Sequence, residues 1–320
     1  MRKQQNFLNP TVTTTYSGEF AGKYIAAALF SARTLDNKLV TIMPNVKFKS
    51  VIQKIAVDNI ISNASCDFTE TGSVALTERI LEPKELQVNL QLCKQEFVDS
   101  WEALQLGYSA FDEIPANFND YLVSYVGAKV AEATEISIWQ GNSSTNGQFG
   151  GLYPALSASV GTGGATAPIT SSVSGSVTST NVIAALNGVY DAIPSAVFGK
   201  EDTVIYVPTN VAKAYQTALA GNGASGLGAN GYNSQLTVGQ KPYDFNGIEL
   251  AWCPGLANNA IVAAQKSNLF FGTGLLSDYN QVKVLDMADL DGSQNFRIIM
   301  RYTAGTQFGI GQDIVIHKNY

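Results

Sequence analysis

The chain has 320 residues, a formal net charge of -6 and 45% hydrophobic residues, which is enough to bury a sizeable core. Charged residues make up only 14%, against roughly 25% in a typical soluble domain. The 20 Lys and Arg residues are scattered, which argues against a sequence-specific nucleic-acid-binding face. A surface so poor in charge is expected to be covered largely by partner subunits.

The cysteines and the N-terminus indicate a cytoplasmic protein. Cys66, Cys93 and Cys253 are odd in number and far apart, so we expect free thiols rather than a disulfide framework or a zinc site. The first ten residues are polar, which predicts no secretory signal peptide. The apolar stretch at 24–30 is too short to span a bilayer, and we expect no membrane contact.

The first half of the chain begins with a Thr-rich polar arm, followed by a predicted helix from Glu19 to Arg33. Residues 46–92 predict a long β-hairpin whose two limbs enclose a polar tip at 58–72. Leu86 to Leu92 alternate with Gln and Asn, and this strand is expected to end the return limb. Such a hairpin is not stable alone in water, so it needs a neighbour.

A long helix is predicted over 115–139, because Asp112 to Pro115 form a start signal and one face then stays apolar. Its ~25 residues at ~1.5 Å each would make a rod about 37 Å long, a spine rather than a pocket wall. Gly141-Asn142 ends it. Residues 141–178 are rich in Gly, Ser and Thr and predict a loop or linker.

From Thr180 onward the pattern becomes α/β. Thr180 is a candidate helix cap and Pro194 a stop. The further predicted elements are a strand at 203–207, a helix opening at Pro208, a hairpin turn at 245–248, and strands at 261–264, 269–271 and 281–285. Strands from Phe296 to Ile316 complete the chain, so an inserted α/β unit lies between two parts of another unit.

Two glycine and aspartate patterns are candidate ligand sites. The spacing of Gly221, Gly223 and Gly226 matches GxGxxG, but a helix precedes it and a strand follows, the reverse of a dinucleotide fingerprint. We therefore expect a mobile surface loop. The cluster Asp286, Asp289 and Asp291 lacks the ligand spacing of a calcium loop, which predicts a solvated turn.

The single histidine is the other candidate. His317 could take part in a Ser-His-Asp relay on paper, but a surface histidine at a frayed terminus is the expected reading. Phosphate-binding P-loop and GxSxG motifs do not occur in the sequence. We predict no catalytic, cofactor-binding or metal-binding residues, and hence a structural or assembly role.

The order of elements resembles the major capsid proteins of tailed bacteriophages, of the Hong Kong 97 type. Residues 74–81, followed by Pro83-Lys84, resemble the return limb of that family's extended E-loop. Residues 147–152 resemble the segment after its spine helix, and residues 204–208 the start of its A-domain. The resemblance covers nearly everything after Gly18, as a register of element types rather than an invariant signature.

The resemblance implies an α+β fold with four parts. They are an N-terminal arm and short helix (1–45), the E-loop hairpin (46–92), a peripheral domain with the spine helix and Gly-rich loop (93–177 and 286–320), and an inserted α/β axial domain (178–285). The implied function is structural. Pentamers and hexamers would form an icosahedral shell around the double-stranded DNA genome of a phage, assembled in the bacterial cytoplasm.

The same resemblance implies partners but no cofactor and no enzymatic activity. The partners would be the chain itself, portal, separate scaffolding and possibly decoration proteins, with non-specific contact to packaged DNA. The sequence lacks the scaffolding domain of ~100 residues with which many members begin, so scaffolding would be a separate protein or the arm itself. Some members cross-link a lysine to an asparagine, but nothing places Lys47, Lys49, Lys54 or Lys84 for that reaction.

Three alternatives remain open. An encapsulin-like nanocompartment would share the fold but package enzymes. An α/β enzyme could assemble its site from distant residues. A fibre or surface-layer protein is a further alternative, against which the polar N-terminus counts.

Overall fold

The computed structural model describes residues 33–57, 61, 63, 66, 74–93, 116–160, 167–171, 176–224, 244–274, 283–287, 292–293 and 295–317. Most of the predicted N-terminal arm and helix lies outside these ranges. Five α-helices fall within them: α1 (Arg33–Asp36), α2 (Ala116–Gln140), α3 (Leu152–Ser159), α4 (Val182–Asp191) and α5 (Thr209–Ala224). The helix α2 confirms the predicted spine helix, displaced by one residue.

The described strands follow the predicted order. They are β1 (Thr41–Met43), β2 (Ser50–Val57), β3 (Val74–Leu81), β4 (Lys84–Cys93), β5 (Ile169–Thr170), β6 (Thr203–Val207), β7 (Asp244–Phe245), β8 (Ile248–Trp252), β9 (Ile261–Gln265), β10 (Leu269–Thr273), β11 (Lys283–Asp286), β12 (Asn295–Phe308) and β13 (Val315–His317). The predicted turn between β7 and β8 is confirmed, with Asn246 at φ 49° and Gly247 at φ 82°, as a tight two-residue hairpin turn requires.

A five-stranded sheet is built around the 14-residue strand β12. One edge of β12 pairs with β4 over ten residues, and the other pairs with β10 and then β11, all antiparallel. β1 extends the sheet by running parallel to β10. Alternate residues of β12, from Phe296 to Tyr302, are buried, while Arg297 and Arg301 are exposed. The sheet therefore has one core face and one solvent face.

A six-stranded sheet has the order β5-β13-β9-β6-β8-β7. Its strands β6 and β9 are buried at every residue, which explains why they are apolar except at Thr203 and Gln265. Ile205 and Val207 face a core shared with α4 and α5. Val204 and Tyr206 face the larger core, which contains Ile138 of α2 and residues of the five-stranded sheet. The six-stranded sheet is thus covered on both sides.

The hairpin differs from the prediction in its return limb. β2 pairs with β3, from Ser50 opposite Leu81 to Val57 opposite Val74, in the segment that resembles the E-loop limb. The strand at Leu86 to Leu92 exists, but it belongs to β4 and pairs with β12. Its Leu86 is buried in the core and Val88 packs against that core, a contact that a free hairpin cannot provide.

Three smaller predictions need correction. The predicted loop at 141–178 contains α3, where Leu152 and Leu156, four residues apart, are fully buried, and β5. The residue preceding α4 is Asn181 rather than Thr180, and the Thr180 hydroxyl is bonded to that of Thr178 at 2.8 Å. Gly221 and Gly223, expected in a loop, are the helical C-terminal end of α5.

The sheets also cross the predicted domain boundaries. β10 lies within 178–285, and so does β11 except for its last residue, Asp286, yet both pair in the five-stranded sheet. β5 and β13 lie outside that range and complete the six-stranded sheet. The division into peripheral and axial domains stays a prediction.

Candidate assembly surface

The hairpin β2–β3 forms a separate two-stranded sheet. Because paired residues in an antiparallel ladder point to the same side, its register divides it into two faces. One face holds the pairs Val51–Ile80 and Ile55–Leu76, with Gln53–Glu78 between them. We call this the outward face. The other, the inward face, holds the pairs Ser50–Leu81, Ile52–Arg79 and Lys54–Thr77.

The outward face exposes large aliphatic side chains. Val51 and Ile80 are 49% and 46% exposed, and Ile55 and Leu76 are 66% and 67% exposed. Phe48, just before β2, is 82% exposed. Single exposed hydrophobic residues are ordinary, but several side by side on one surface indicate an interaction site. These aliphatic side chains are of the type that normally packs in a hydrophobic core, but here no residue of the described chain covers them fully.

The inward face contacts the subunit itself. The Arg79 guanidinium lies 3.9 Å from the centre of the Phe308 ring, and the Lys54 Nζ donates a 2.9 Å hydrogen bond to Gln312 Oε1. The Gln307 amide donates a 2.8 Å hydrogen bond to the Ile80 carbonyl. Partial burial lowers the pKa of Arg79, consistent with its position over the ring.

The base of the hairpin is tightly packed. Leu81 is fully buried against Gly272 of β10, where a Cβ would lie 2.7 Å from Leu81 Cδ2. Next along the chain, the Lys84 ammonium donates to the carbonyls of Ser143, Thr145 and Gln148 at 3.1, 3.3 and 3.0 Å. Lys84 therefore ties the start of β4 to the loop that follows α2. These three hydrogen bonds explain the presence of a lysine at this position without any role in cross-linking.

A buried polar joint connects the spine helix to the segment that enters from the N-terminal side. The Glu135 carboxylate accepts hydrogen bonds from the Thr34 backbone N–H at 2.9 Å and the Thr34 hydroxyl at 2.6 Å. The Trp139 Nε1–H donates to the same hydroxyl at 2.8 Å. All three residues are at most 4% exposed. Arg33, next to Thr34, stacks over the Trp252 ring at 4.2 Å, so α1 is fixed to both α2 and β8.

Burial governs the protonation of this joint. It raises the pKa of Glu135, against the opposing effects of the Thr34 hydrogen bonds and of Arg33. Burial likewise raises the pKa of the Cys253 thiol well above its usual range. A low-dielectric site disfavours the charged form of both groups. Both lie inside the packed core, where a substrate has no access.

The candidate chemical residues are dispersed, and one prediction about them is wrong. His317 is fully buried in β13 rather than exposed at a frayed terminus, with its Nδ1 2.9 Å from the Ser171 hydroxyl. Backbone pairing with β9 accounts for its burial. Asp286 lies in β11, opposite Phe296, and Asp289, Asp291 and Gly226 lie outside the described residues.

The thiols match the prediction: Cys66, Cys93 and Cys253 are all free, the first exposed and the last buried. The described residues contain no group of three or more His, Cys, Asp and Glu side chains placed to hold a metal ion. Within the described ranges, no helix is both long and apolar enough to cross a membrane.

A second exposed aromatic group lies on the six-stranded sheet's side of the molecule, where sequence analysis singled out no surface residue. Phe198 is 52% exposed in the segment after α4, and its ring packs edge-on against Tyr190 at 5.6 Å. Tyr190 in turn contacts the buried Phe245. The exposed ring thus stands on a fixed aromatic base.

No protein-family profile matches the chain, and no curated protein matches it either. Solved structures do match. The capsid of an empty GTA particle has a TM-score of 0.61 at 11% identity, covering 90% of this chain and 96% of the other. The capsid of Myoviridae phage XM1 has a TM-score of 0.56 at 11% identity, covering 90% and 92%. A chain from Gordonia phage Cozz has a TM-score of 0.56 at 12% identity, covering 90% and 87%.

A virus-like particle from Pyrococcus furiosus is also similar, with a TM-score of 0.50 at 10% identity over 92% of this chain and 96% of the other. At such identities the matches establish the fold. The chain has the α+β Hong Kong 97-type capsid fold, as its element order indicated.

Proposed function

We propose that the chain is the major capsid protein of a tailed bacteriophage, a structural subunit that assembles as pentamers and hexamers into an icosahedral shell enclosing double-stranded DNA. One observation supports this beyond the fold: the outward face of the hairpin. Val51, Ile55, Leu76 and Ile80 form two cross-strand pairs, with Gln53–Glu78 between them, on a surface that the subunit leaves exposed. A second subunit lying on this face would bury them.

The energetics suit distributed assembly. Complete burial of a Val, Leu or Ile side chain stabilises by about 1.5 to 3 kcal/mol, and these four side chains are already about half to one third covered. Each would therefore contribute about 1 kcal/mol to a contact, against an association cost of several kcal/mol. A single hairpin contact is weak, but a closed shell repeats it in every subunit.

The proposal extends to partners and location. The chain would act as a shell protein rather than an enzyme and would reside in the virion after assembly in the bacterial cytoplasm. A portal and a separate scaffolding protein would assist closure, decoration proteins could bind outside, and packaged DNA would touch the inner wall without sequence preference. The scattered basic residues and the net charge of -6 suit a container from which DNA must leave.

An encapsulin-like shell is the second candidate, supported by the likeness to the Pyrococcus virus-like particle. Its TM-score of 0.50 is lower than the 0.61 and 0.56 of the phage-type capsids, so the phage assignment is preferred. The contents of the shell distinguish the two. Nuclease-protected DNA in particles made with the neighbouring genes would support the capsid, and an enclosed enzyme would support the encapsulin.

Negative-stain electron microscopy of the purified chain, alone and with its neighbouring genes, tests shell formation. The double variant Ile55→Gln, Leu76→Gln should remain folded and fail to form shells. The matched variant Ile55→Val, Leu76→Ile keeps both groups apolar and should assemble normally. Deletion of residues 58–72 should likewise give a soluble subunit that cannot close shells. A wild-type chain that stays monomeric under every condition would overturn the proposal. Normal shells from the Gln variant would show that the outward face is not a contact between subunits.

A further inference from the structure

The contacts of the hairpin's inward face differ from the apolar packing at the base of the hairpin. Leu81 packs against Gly272 with full burial, a contact that cannot shift without opening the core. The hairpin has no backbone pairing with either larger sheet among the described strands. Side chains beyond Leu81 must therefore decide the direction in which the hairpin projects.

Three such contacts converge on one short stretch, residues 307–312. Arg79 stacks on Phe308 at 3.9 Å, Gln307 donates to the Ile80 carbonyl at 2.8 Å, and Lys54 donates to Gln312 at 2.9 Å. Phe308 is itself fully buried at the end of β12, so its ring is a fixed support. A short 3-10 helix, Gly311–Asp313, holds Gln312 just beyond it.

Among the described residues, the contacts with 307–312 reach along the hairpin as far as the pair Lys54–Thr77. Lys54 and Thr77 are directly opposite each other, and the next pair toward the tip, Ile55–Leu76, is about two thirds exposed on the outward face. The proximal half of the hairpin is thus held by its own subunit. Just beyond it, the apolar side chains of Ile55 and Leu76 are exposed for a neighbour.

We propose that Arg79, Lys54 and Gln307 form a latch that fixes the angle of the hairpin to the subunit, with the Leu81–Gly272 contact as the pivot. This inference rests on the proposed shell-building function. The three side chains are positioning residues, because they place the outward face without being part of it. Two of the contacts are side-chain hydrogen bonds and the third is a cation–π contact, so each can open without breaking the backbone pairing of either sheet.

The latch has a consequence for assembly. If a neighbouring subunit binds the outward face, the angle of the hairpin sets the angle between the two subunits. A latched hairpin gives every pair of subunits the same angle, whereas a released hairpin allows several different angles between subunits. Uniform curvature, and hence uniform shell size, would then depend on Arg79 and Lys54 although neither side chain lies on the outward face.

Spin-label distance measurements on dilute, unassembled subunits test the latch directly. One label is placed at Leu76→Cys on the outward face and one at Lys200→Cys, which is exposed far along the chain, with Cys66→Ser and Cys93→Ser to remove accessible thiols. The Leu76 change also removes an outward aliphatic group and helps keep subunits apart. In this background we expect a single narrow distance distribution.

Arg79→Met, which keeps the length of the side chain and loses its charge, should broaden the distribution and add a second population. Arg79→Lys retains a cation over the ring and should restore most of the narrow distribution. Lys49→Met is the matched control, since Lys49 is bonded to Glu82 rather than to 307–312, and it should change nothing. Gln312→Ala, which removes only the partner of Lys54, should give a smaller broadening.

The outcomes separate the latch from the shell. A distribution that stays narrow in both Arg79→Met and Gln312→Ala would overturn the latch even if shells form normally. A broad distance distribution in the labelled background, in which Arg79, Lys54 and Gln307 are unchanged, would overturn the latch as well. Electron microscopy of Arg79→Met without labels then provides the second readout: particles of mixed size or open sheets support the latch, and shells as uniform as wild type contradict it.

Discussion

The polar joint at the spine helix and the outward face of the β2–β3 hairpin differ in how much of each is covered by the chain itself. At the joint, Glu135, Thr34 and Trp139 are at most 4% exposed, and one hydroxyl links the other two side chains. On the hairpin, Ile55 and Leu76 are about two thirds exposed. The side chains of the joint are buried by their own chain, whereas those of the outward face would be buried only by a partner subunit. Substitutions at the joint should therefore change the free energy of unfolding, and those on the outward face should change assembly.

The largest expected effect on stability is at Trp139. Trp139→Ala removes a fully buried side chain whose ring packs against that of Tyr206 at a centroid distance of 5.1 Å and an angle of 50°. We expect a loss of about 3 to 5 kcal/mol in the free energy of unfolding, measured by chemical denaturation. Ile136→Ala, one turn away and 42% exposed, is the control and should cost less than about 1 kcal/mol. Equal losses would contradict the assignment of the core face of α2.

The second effect concerns the pivot of the hairpin. A Cβ at Gly272 would lie 2.7 Å from Leu81 Cδ2, so Gly272→Ala should destabilise by about 1 to 3 kcal/mol through overpacking. In a Leu81→Ala background the added methyl group has room, and the same substitution should then cost little. A double-mutant cycle measures this coupling. Additive effects would mean that Leu81 and Gly272 do not pack as described.

Local signals explain how much the sequence could predict. The spine helix was predictable because its apolar spacing and its stop at Gly141 lie within one segment. The Asn246-Gly247 turn was predictable because two adjacent residues must both adopt positive φ. The partner of a strand is not local: the alternation at Leu86 to Leu92 indicates a strand, but only the structure shows that it pairs with β12, more than 200 residues away.

The candidate surface was harder to predict than the fold for the same reason. Ile55 and Leu76 have the same chemistry as the buried Leu86, and nothing in their own segment tells exposed from covered. The position of His317 near the end of the sequence predicts an exposed side chain, whereas pairing of β13 with β9 buries it. The sequence gives only a weak signal for helix α3, because the helix is short, includes Pro154 and lies in a segment rich in glycine and serine.

A moderate effect is expected at the link between β4 and the loop after α2. Lys84→Met keeps the aliphatic stem but removes the ammonium that donates to three carbonyls. Because hydrogen bonds from charged groups are stronger than neutral ones but these are partly exposed, we expect a loss of about 1 to 2 kcal/mol. Lys49→Met removes only a surface ion pair with Glu82 and should cost less than about 1 kcal/mol. Thermal unfolding of the two variants side by side would measure the difference.

The smallest effect is a pH dependence that belongs to the joint and not to the hairpin. Burial raises the pKa of Glu135 in the folded chain, so the folded state binds its proton more tightly than the unfolded state. The corresponding stability is fully present below the pKa of the unfolded chain and is lost as the pH rises through the folded-state pKa. Burial raises the pKa of Asp36 as well, but that residue is exposed and its contribution should be smaller.

Chemical denaturation between about pH 5 and about pH 7 should therefore show the free energy of unfolding of the wild type declining with pH relative to Glu135→Gln. The amide has no proton to lose, and it can still accept from the Thr34 N–H, so the variant should lack this part of the slope. The Cys253 thiol, whose pKa is raised well above its usual range, stays neutral throughout and does not contribute. Parallel slopes for the two chains would mean that Glu135 is already ionised in the folded core, with Arg33 and the Thr34 hydrogen bonds outweighing burial.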